Sequence, residues 1–154
     1  PEIAADASRV RYQRFPCVRA QCPGDMTLGP HCDAAYGHAP STVIVSCLLT
    51  PAYGTNALIY ESKPGREDWT AFEGSEGAAL AFPGGLAAHF TSENTTGVTR
   101  WSIDARVVVA DSSTSAYDAG CYFAVAERVG GAWRRVGDEI DAVDPRVGIP
   151  FDRK

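Results

Sequence analysis

Apolar and polar residues alternate in short runs along this chain, and turn residues separate the runs. The longest apolar run, around Val43 to Leu49, is interrupted by Ser46 and has the length of a buried strand. Almost nothing has the periodicity of a long amphipathic helix. The pattern predicts strands rich in β-branched and aromatic residues at 10–15, 17–22, 42–50, 57–62, 78–83, 87–91, 99–110 and 120–128.

The turns between these strands carry strong signals, such as YGTN, KPGRED, EGSEG and PGG. Many short strands at this spacing indicate an all-β sandwich, jelly roll or barrel. We expect a single domain over residues 1–154, with its core at about 10–128. The polar, proline-containing segment 129–154 should be peripheral, packing on the outside or fraying.

Alternation gives two of the predicted strands a polar face, because successive side chains of a strand point to opposite sides. In CVRAQC the residues Arg19 and Gln21 share a face. The polar face of TRWSIDAR carries Arg100, Ser102, Asp104 and Arg106, and its other face carries Trp101, Ile103 and Ala105. A polar face of this kind either meets solvent or lines a wet cavity. Trp101, Phe82 and Phe90 are expected in the core.

Charge and hydropathy exclude two classes of partner. The formal net charge of −5 disfavours a nucleic-acid binder, because neutralising phosphates requires a basic surface. No apolar run approaches the roughly 20 residues of a membrane helix, so we expect no membrane association. A small-molecule partner remains, and the oligomeric state cannot be inferred from the sequence.

The five cysteines are scattered, without a CxxC pair, at Cys17, Cys22, Cys32, Cys47 and Cys121. This spacing fits neither a zinc ribbon nor a compact disulfide framework. Reduced thiols in a cytoplasmic protein are the expectation. The sequence begins at Pro1 rather than Met, so a trimmed targeting segment stays open.

Three residues could together form a metal site. If His31 and Asp33 lie on one extended segment, their side chains point the same way and can reach one ion. His89 follows the turn in FPGGLAA and can supply a third ligand from a distant strand. Two imidazoles and one carboxylate on one side of the ion form the facial triad of non-haem Fe(II) oxygenases, which leaves positions for O₂ and a co-substrate.

An arginine that could bind a co-substrate follows the third candidate ligand in the sequence. Arg100 lies eleven residues beyond His89, and Ser102 is its neighbour on the same strand face. A dicarboxylate co-substrate that chelates iron at one end needs a cation for its far carboxylate, and the planar guanidinium suits that task.

With these residues the chain resembles the Fe(II)/2-oxoglutarate-dependent oxygenases of the double-stranded β-helix fold, a jelly roll of the cupin kind. The likeness is to the phytanoyl-CoA dioxygenase-like group, and within it to the streptomycin-biosynthesis branch. It runs from about Arg11 to Val109, and the segments that carry it are HCDAAYGH, LLTPAYGTNALIYES and HFTSENTTGVTRWSIDAR.

The resemblance implies an enzyme with Fe(II), 2-oxoglutarate and O₂. His31, Asp33 and His89 would bind the iron, while Arg100 and Ser102 would bind the tail of 2-oxoglutarate. The implied reaction hydroxylates a small polar metabolite and forms succinate and CO₂. Halogenating relatives lack the carboxylate ligand, so the presence of Asp33 favours hydroxylation.

Further polar residues are weaker candidates for substrate contacts. Arg19 and Gln21 could face the site or an exterior salt bridge, and Tyr36 and His38 could line the pocket or meet solvent. Cys32 should face away from the ion. Asp104 and Arg106 are expected to pair with each other or with a neighbouring strand, without a catalytic role.

Two other functions fit the same architecture, because fold alone does not determine function. One is a cupin-type metal-dependent isomerase, although such sites usually cluster more histidines than the three present here. The other is a non-catalytic β-sandwich module that binds a small molecule or carbohydrate. Only the oxygenase needs a buried cation such as Arg100 near the metal.

Overall fold

The computed structural model describes residues 7–109 and 122–136, and nearly all of their regular structure is strand. Helix is limited to two 3₁₀ turns, Asp33–Tyr36 and Gly54–Asn56. The strands are β1 Arg9–Gln13, β2 Cys17–Gln21, β3 Val43–Leu48, β4 Leu58–Tyr60, β5 Thr70–Phe72, β6 Ala79–Phe82, β7 His89–Thr91, β8 Arg100–Val109, β9 Phe123–Val129 and β10 Ala132–Val136. Neither 3₁₀ turn has the length or the apolar character needed to cross a bilayer.

The strands form two antiparallel sheets. The larger has seven strands in the order β10-β9-β1-β8-β3-β6, with β2 also paired to β8, and the smaller has the order β5-β4-β7. The long strand β8 is central, since β1 and β2 lie end to end along one side of it and β3 lies along the other. Among the described residues neither sheet closes into a barrel.

The sequence pattern located eight of these strands to within a few residues and missed two. β5 has only three residues, too few to show alternation. β10 is exposed along its whole length at the edge of the large sheet, so it has no apolar face to reveal it. The segment expected to pack on the outside or fray thus begins with a paired edge strand, and 137–154 lie outside the described residues.

The main apolar cluster fills the space between the two sheets. Ile44 and Phe82 contribute from β3 and β6 of the large sheet, and Leu58 contributes from β4 of the small one. Phe82 is 3% exposed, as expected for a core residue. This packing fixes β3, β4 and β6 against one another and so holds the two sheets in place.

The polar face of β8 points into the molecule. Arg100 and Ser102 are buried at 2% and 0% exposure, whereas Trp101 between them is 44% exposed. The expectation that Trp101 belongs to the core is therefore wrong. Alternation identifies which residues share a face, but it does not show which face is buried, and here the buried face is the polar one.

Candidate metal centre

His31 and His89 lie directly opposite each other in an antiparallel bridge. The backbone N–H of each donates to the carbonyl of the other, at 3.2 and 2.9 Å. Residues paired in this way project their side chains to the same side of the sheet. The two imidazole rings accordingly lie with their centroids 4.3 Å apart.

Backbone carbonyls set the orientation of both rings. Nδ1 of His31 lies 2.7 Å from the carbonyl oxygen of Gly29, and Nδ1 of His89 lies 3.1 Å from that of Ala87. A carbonyl can only accept, so each Nδ1 carries the proton and each Nε2 presents a lone pair. This is the tautomer that a metal ligand requires.

Asp33 reaches the two rings from the start of the first 3₁₀ turn. Its backbone N–H donates to the carbonyl of Gly84, and that of Ala34 donates to the carbonyl of Gly85. Gly85 must lack a side chain, because an added Cβ would lie 2.4 Å from the carbonyl oxygen of Pro40. The predicted single extended segment is thus wrong in detail, since Cys32 is extended but Asp33 begins a helical turn.

The three side chains converge on one point. Oδ1 of Asp33 lies 3.8 Å from Nε2 of His31 and 3.9 Å from Nε2 of His89, and all the ligand atoms lie within 4.8 Å of one another. Ligands that lie about 2.1 Å from an ion and at right angles to each other are about 3.0 Å apart, so these donors would move about 1 Å closer on binding a metal. The chemistry of the donor set, two imidazole nitrogens and one carboxylate oxygen, suits a divalent transition metal.

Arg106 holds the carboxylate of Asp33 from the side away from the histidines. Its Nε donates to Oδ2 at 2.6 Å, and its Nη2 donates to Oδ1 at 3.2 Å. Its Nη1 reaches Oε1 of Gln13 at 3.4 Å and the hydroxyl of Tyr122 at 3.1 Å. Arg106 and Asp104 thus do not pair with each other; each contacts a neighbouring strand, Arg106 through Gln13 of β1 and Asp104 through Arg19 of β2, and Arg106 in addition binds Asp33.

Arg106 favours the ionised form of Asp33, and burial favours the neutral form of His89. Burial alone would raise the pKa of Asp33, but the hydrogen bond and charge of Arg106 outweigh it and lower that pKa. Burial lowers the pKa of His89, and the nearby His31 contributes to the shift. At neutral pH the site thus offers one carboxylate and a neutral His89, the protonation states in which both bind metals.

A cavity of 320 Å³ opens at this site. Its lining consists of Arg19, Thr27, Leu28, Gly29, His31, Asp33, Tyr36, His38 and Arg106. Tyr36 is 63% exposed at its edge, with its ring 5.3 Å from that of His31. His38 is 8% exposed. Of the two positions that the sequence allowed for it, it therefore occupies the one in the pocket and not the one in solvent.

Arg100 is buried, and no carboxylate of the described residues is in contact with it. Its Nη2 donates to Oε1 of Gln21 at 3.3 Å, its Nη1 lies 3.5 Å from the hydroxyl of Ser102, and its Nε has no hydrogen-bond partner. Burial lowers the pKa of Arg100, while the charge of Asp104 opposes the shift. Arg100 and Gln21 do not line the cavity; they lie further along the same faces of β8 and β2.

Arg19 lies between these two regions. It pairs with Ser102 across β2 and β8, and its Nε donates to Oδ2 of Asp104. Asp104 in turn accepts a hydrogen bond of 2.7 Å from the hydroxyl of Ser46. Arg19 is thus in a salt bridge, but on the inner side of the sheet, where it lines the cavity.

The residue that sequence reasoning missed is Arg106. A signal was available, because Arg106 lies on the same strand face as Arg100 and Ser102. Its partner could not be deduced, since Asp33 is 73 residues away and meets it only through the pairing of β8 with the rest of the sheet.

Comparisons with known proteins agree with the fold and point to a biosynthetic relative. No protein-family model matches the chain. The streptomycin biosynthesis protein StrG of Streptomyces griseus is 29% identical over 107 residues, which are 69% of this chain and 50% of that protein. The chain therefore spans about half the length of this curated relative.

Solved structures with a similar fold include a non-heme monooxygenase, ThoJ. Its nickel complex matches with a TM-score of 0.59 and 16% identity, over 74% of this chain and 51% of that one. Its apo form matches with a TM-score of 0.60 and 14% identity, over 74% and 52%. At this level of identity the likeness is one of fold.

Proposed function

We propose that this chain is a non-haem Fe(II)/2-oxoglutarate-dependent dioxygenase with a double-stranded β-helix fold. The observation that carries the proposal is the convergence of His31, Asp33 and His89 beside a strand face that buries the guanidinium of Arg100, which contacts no carboxylate of the described residues. The likeness in fold to a non-heme monooxygenase and the relation to a biosynthetic protein support it.

His31, Asp33 and His89 would hold the iron, which when bound supplies the activation of O₂. Both imidazoles are already turned with Nε2 towards Asp33. Arg106 binds Oδ2 at 2.6 Å and Oδ1 only at 3.2 Å, so Oδ1, which lies 3.8 and 3.9 Å from the two Nε2 atoms, is the oxygen that would bind the ion. Three protein ligands would leave coordination positions for O₂ and the co-substrate.

Arg100 would bind the far carboxylate of 2-oxoglutarate. Burying a cation is costly, and no carboxylate of the described residues contacts Arg100, so a carboxylate ligand would both bind tightly and relieve that cost. Gln21 holds one amino group of the guanidinium through Oε1, and its own amide donates to the carbonyl of Ser92 at 2.7 Å. Ser102 lies beside Arg100 and can donate its hydroxyl to the same carboxylate.

The primary substrate would be a small polar metabolite that is hydroxylated in the cavity, with formation of succinate and CO₂. A cavity of 320 Å³ is at the lower end of the range for small-molecule sites. The role of the relative StrG in streptomycin biosynthesis supports a small metabolite as substrate.

Succinate formation without any primary substrate tests the proposal. Protein supplied with Fe(II), 2-oxoglutarate and O₂ should release succinate slowly, and Asp33→Ala should abolish the release. Arg100→Met should raise the KM for 2-oxoglutarate at least about tenfold, because it removes a charge-assisted bidentate contact. Arg66→Met, at an exposed arginine far along the chain, is the matched control.

The alternatives predict different results. A cupin-type isomerase would bind metal but form no succinate, and its metal affinity and activity would not depend on Arg100. A binding module would show neither metal-dependent chemistry nor a requirement for Asp33. Either outcome would remove the dioxygenase proposal.

A further inference from the structure

Arg19 offers hydrogen-bond donors to the cavity that the rest of the described chain does not use. Its Nε is bound to Asp104, and that is its one polar side-chain contact among residues 7–109 and 122–136. Its two terminal amino groups are left for a ligand. Asp104 is itself fixed by Ser46, so the guanidinium is held in place.

The described lining of the cavity offers no comparable acceptor for a cation. Asp33 is the one acidic residue in its described lining, and Arg106 engages both of its oxygens. An ammonium or guanidinium on a ligand would find no free carboxylate there and would face Arg19 and Arg106. Like charges in such a site disfavour binding.

The net charge of the site also favours an anionic ligand. Among the described residues, three arginines (Arg19, Arg100 and Arg106) and two aspartates (Asp33 and Asp104) lie in the cavity or on the inner faces of β2 and β8 and their neighbours. Adding a divalent metal and a dianionic co-substrate, as proposed above, leaves one positive charge. A ligand with a single negative charge would neutralise it.

We propose that the primary substrate is a small carboxylate, and that Arg19 binds its carboxylate through the two terminal amino groups. This inference rests on the proposed function for the presence of metal and co-substrate. The guanidinium fork matches the two oxygens of a carboxylate. Arg19 is then the residue that selects anionic substrates over neutral or cationic ones.

Binding of three isosteric probes tests the substrate class. Cyclohexanecarboxylate, cyclohexanecarboxamide and cyclohexylmethylamine are titrated calorimetrically into protein loaded with Zn(II) and 2-oxoglutarate. The carboxylate should bind at least about tenfold more tightly than the amide, as expected for a charge-assisted contact, and the amine should not bind measurably. Absence of carboxylate binding, or equal binding of the amine, would overturn the proposal.

Variants test whether Arg19 is the source of the preference for the carboxylate over the amide. Arg19→Met should reduce the carboxylate-over-amide preference to below about twofold, whereas Arg19→Lys, which keeps the charge but not the fork, should retain part of it. Arg9→Met changes an exposed arginine on β1 and should leave the preference intact. A preference that survives Arg19→Met in folded protein would exclude Arg19 as its source.

The same variants separate this inference from the proposed function. Under anaerobic conditions, 2-oxoglutarate binding to Fe(II)-loaded protein should weaken in Arg100→Met and not in Arg19→Met. If the co-substrate fails to bind the unaltered protein, the dioxygenase proposal fails. If it binds but weakens with Arg19→Met, or if the carboxylate probe displaces it, Arg19 serves the co-substrate and the substrate assignment fails.

Discussion

At Arg106 one guanidinium makes hydrogen bonds to three side chains, those of Asp33, Gln13 and Tyr122. Its position is thus fixed independently of Asp33, and it can in turn fix the carboxylate. Outer partners of metal ligands of this kind typically contribute 10- to 100-fold in metal affinity.

Substituting Arg106 by lysine should therefore weaken metal binding by about 10- to 100-fold, because lysine keeps the charge and loses the two-point contact. The measurement is a competitive titration of Co(II) against a chelating dye. Arg66→Lys, at an exposed position, serves as the control. Equal affinities in folded Arg106→Lys and the unaltered protein would contradict the role of Arg106.

His38 should make stability depend on pH. Burial, followed by the charge of Arg106, lowers its pKa from 6.5 to about 4. Between these values the unfolded chain takes up a proton that the folded protein does not, so stability falls as pH falls from 6.5 towards 4.

Replacing this histidine removes that dependence. In the presence of a chelator, the loss of unfolding free energy between pH 7 and pH 4.5 should be smaller in His38→Gln than in the unaltered protein, by about 2–3 kcal/mol. Urea unfolding at both pH values measures it. Parallel losses in the two proteins would show that His38 is not held neutral by the fold.

The individual candidates for the site could be proposed from the sequence because their residue types are rare and specific. His31 and His89 are two of only three histidines, and Asp33 lies two residues after the first. What the sequence could not supply was the tautomer of each ring, which depends on the carbonyls of Gly29 and Ala87.

Among the elements, the turn that contains Gly84 and Gly85 connects the sheets to the site. Its two carbonyls accept the backbone N–H groups of Asp33 and Ala34. A side chain at Gly85 would collide with backbone atoms, at 2.4 Å from the oxygen of Pro40 and 2.8 Å from that of Ala39.

Gly85→Ala should therefore destabilise the protein by about 1–3 kcal/mol and also weaken metal binding, since relieving the collision displaces the start of the turn that carries Asp33. Gly29→Ala is the comparison for stability, because an added Cβ there meets no atom within 4 Å. Urea midpoints and a Co(II) titration measure the two effects. Unchanged metal affinity in a destabilised Gly85→Ala protein would show that this turn does not position Asp33 for metal binding.

The two faces of the large sheet should respond differently to truncation. Phe82 is 3% exposed in the main cluster and Trp101 is 44% exposed on the outer face of β8. Phe82→Ala should cost about 3–5 kcal/mol of unfolding free energy, and Trp101→Ala less than about 1 kcal/mol. Equal losses in urea unfolding would mean that the outer face is packed after all.

The strands could be predicted where they alternate or bury an apolar run, as β3 and β8 do. The side that faces inward could not, because the interior of this sheet is polar around Arg100, Ser102 and Arg106. β5 and β10 owe their structure to neighbouring strands rather than to a pattern of their own.

At the scale of the whole molecule, the site depends on contacts between residues far apart in the chain. His31 and His89 meet across a bridge, and Asp33 meets Arg106 across 73 residues. The all-β class followed from the spacing of the strands, whereas the order of strands in two sheets follows from long-range pairing that one sequence does not reveal.

Anaerobic titration of the Fe(II)-loaded protein with 2-oxoglutarate tests the central claim most directly. Chelation of the co-substrate at a three-ligand iron site should produce a weak visible metal-to-ligand charge-transfer band that saturates at one equivalent. The band should be lost in His89→Ala and should require higher 2-oxoglutarate concentrations in Arg100→Met. No band in the unaltered protein, or a band indifferent to both substitutions, would contradict the account.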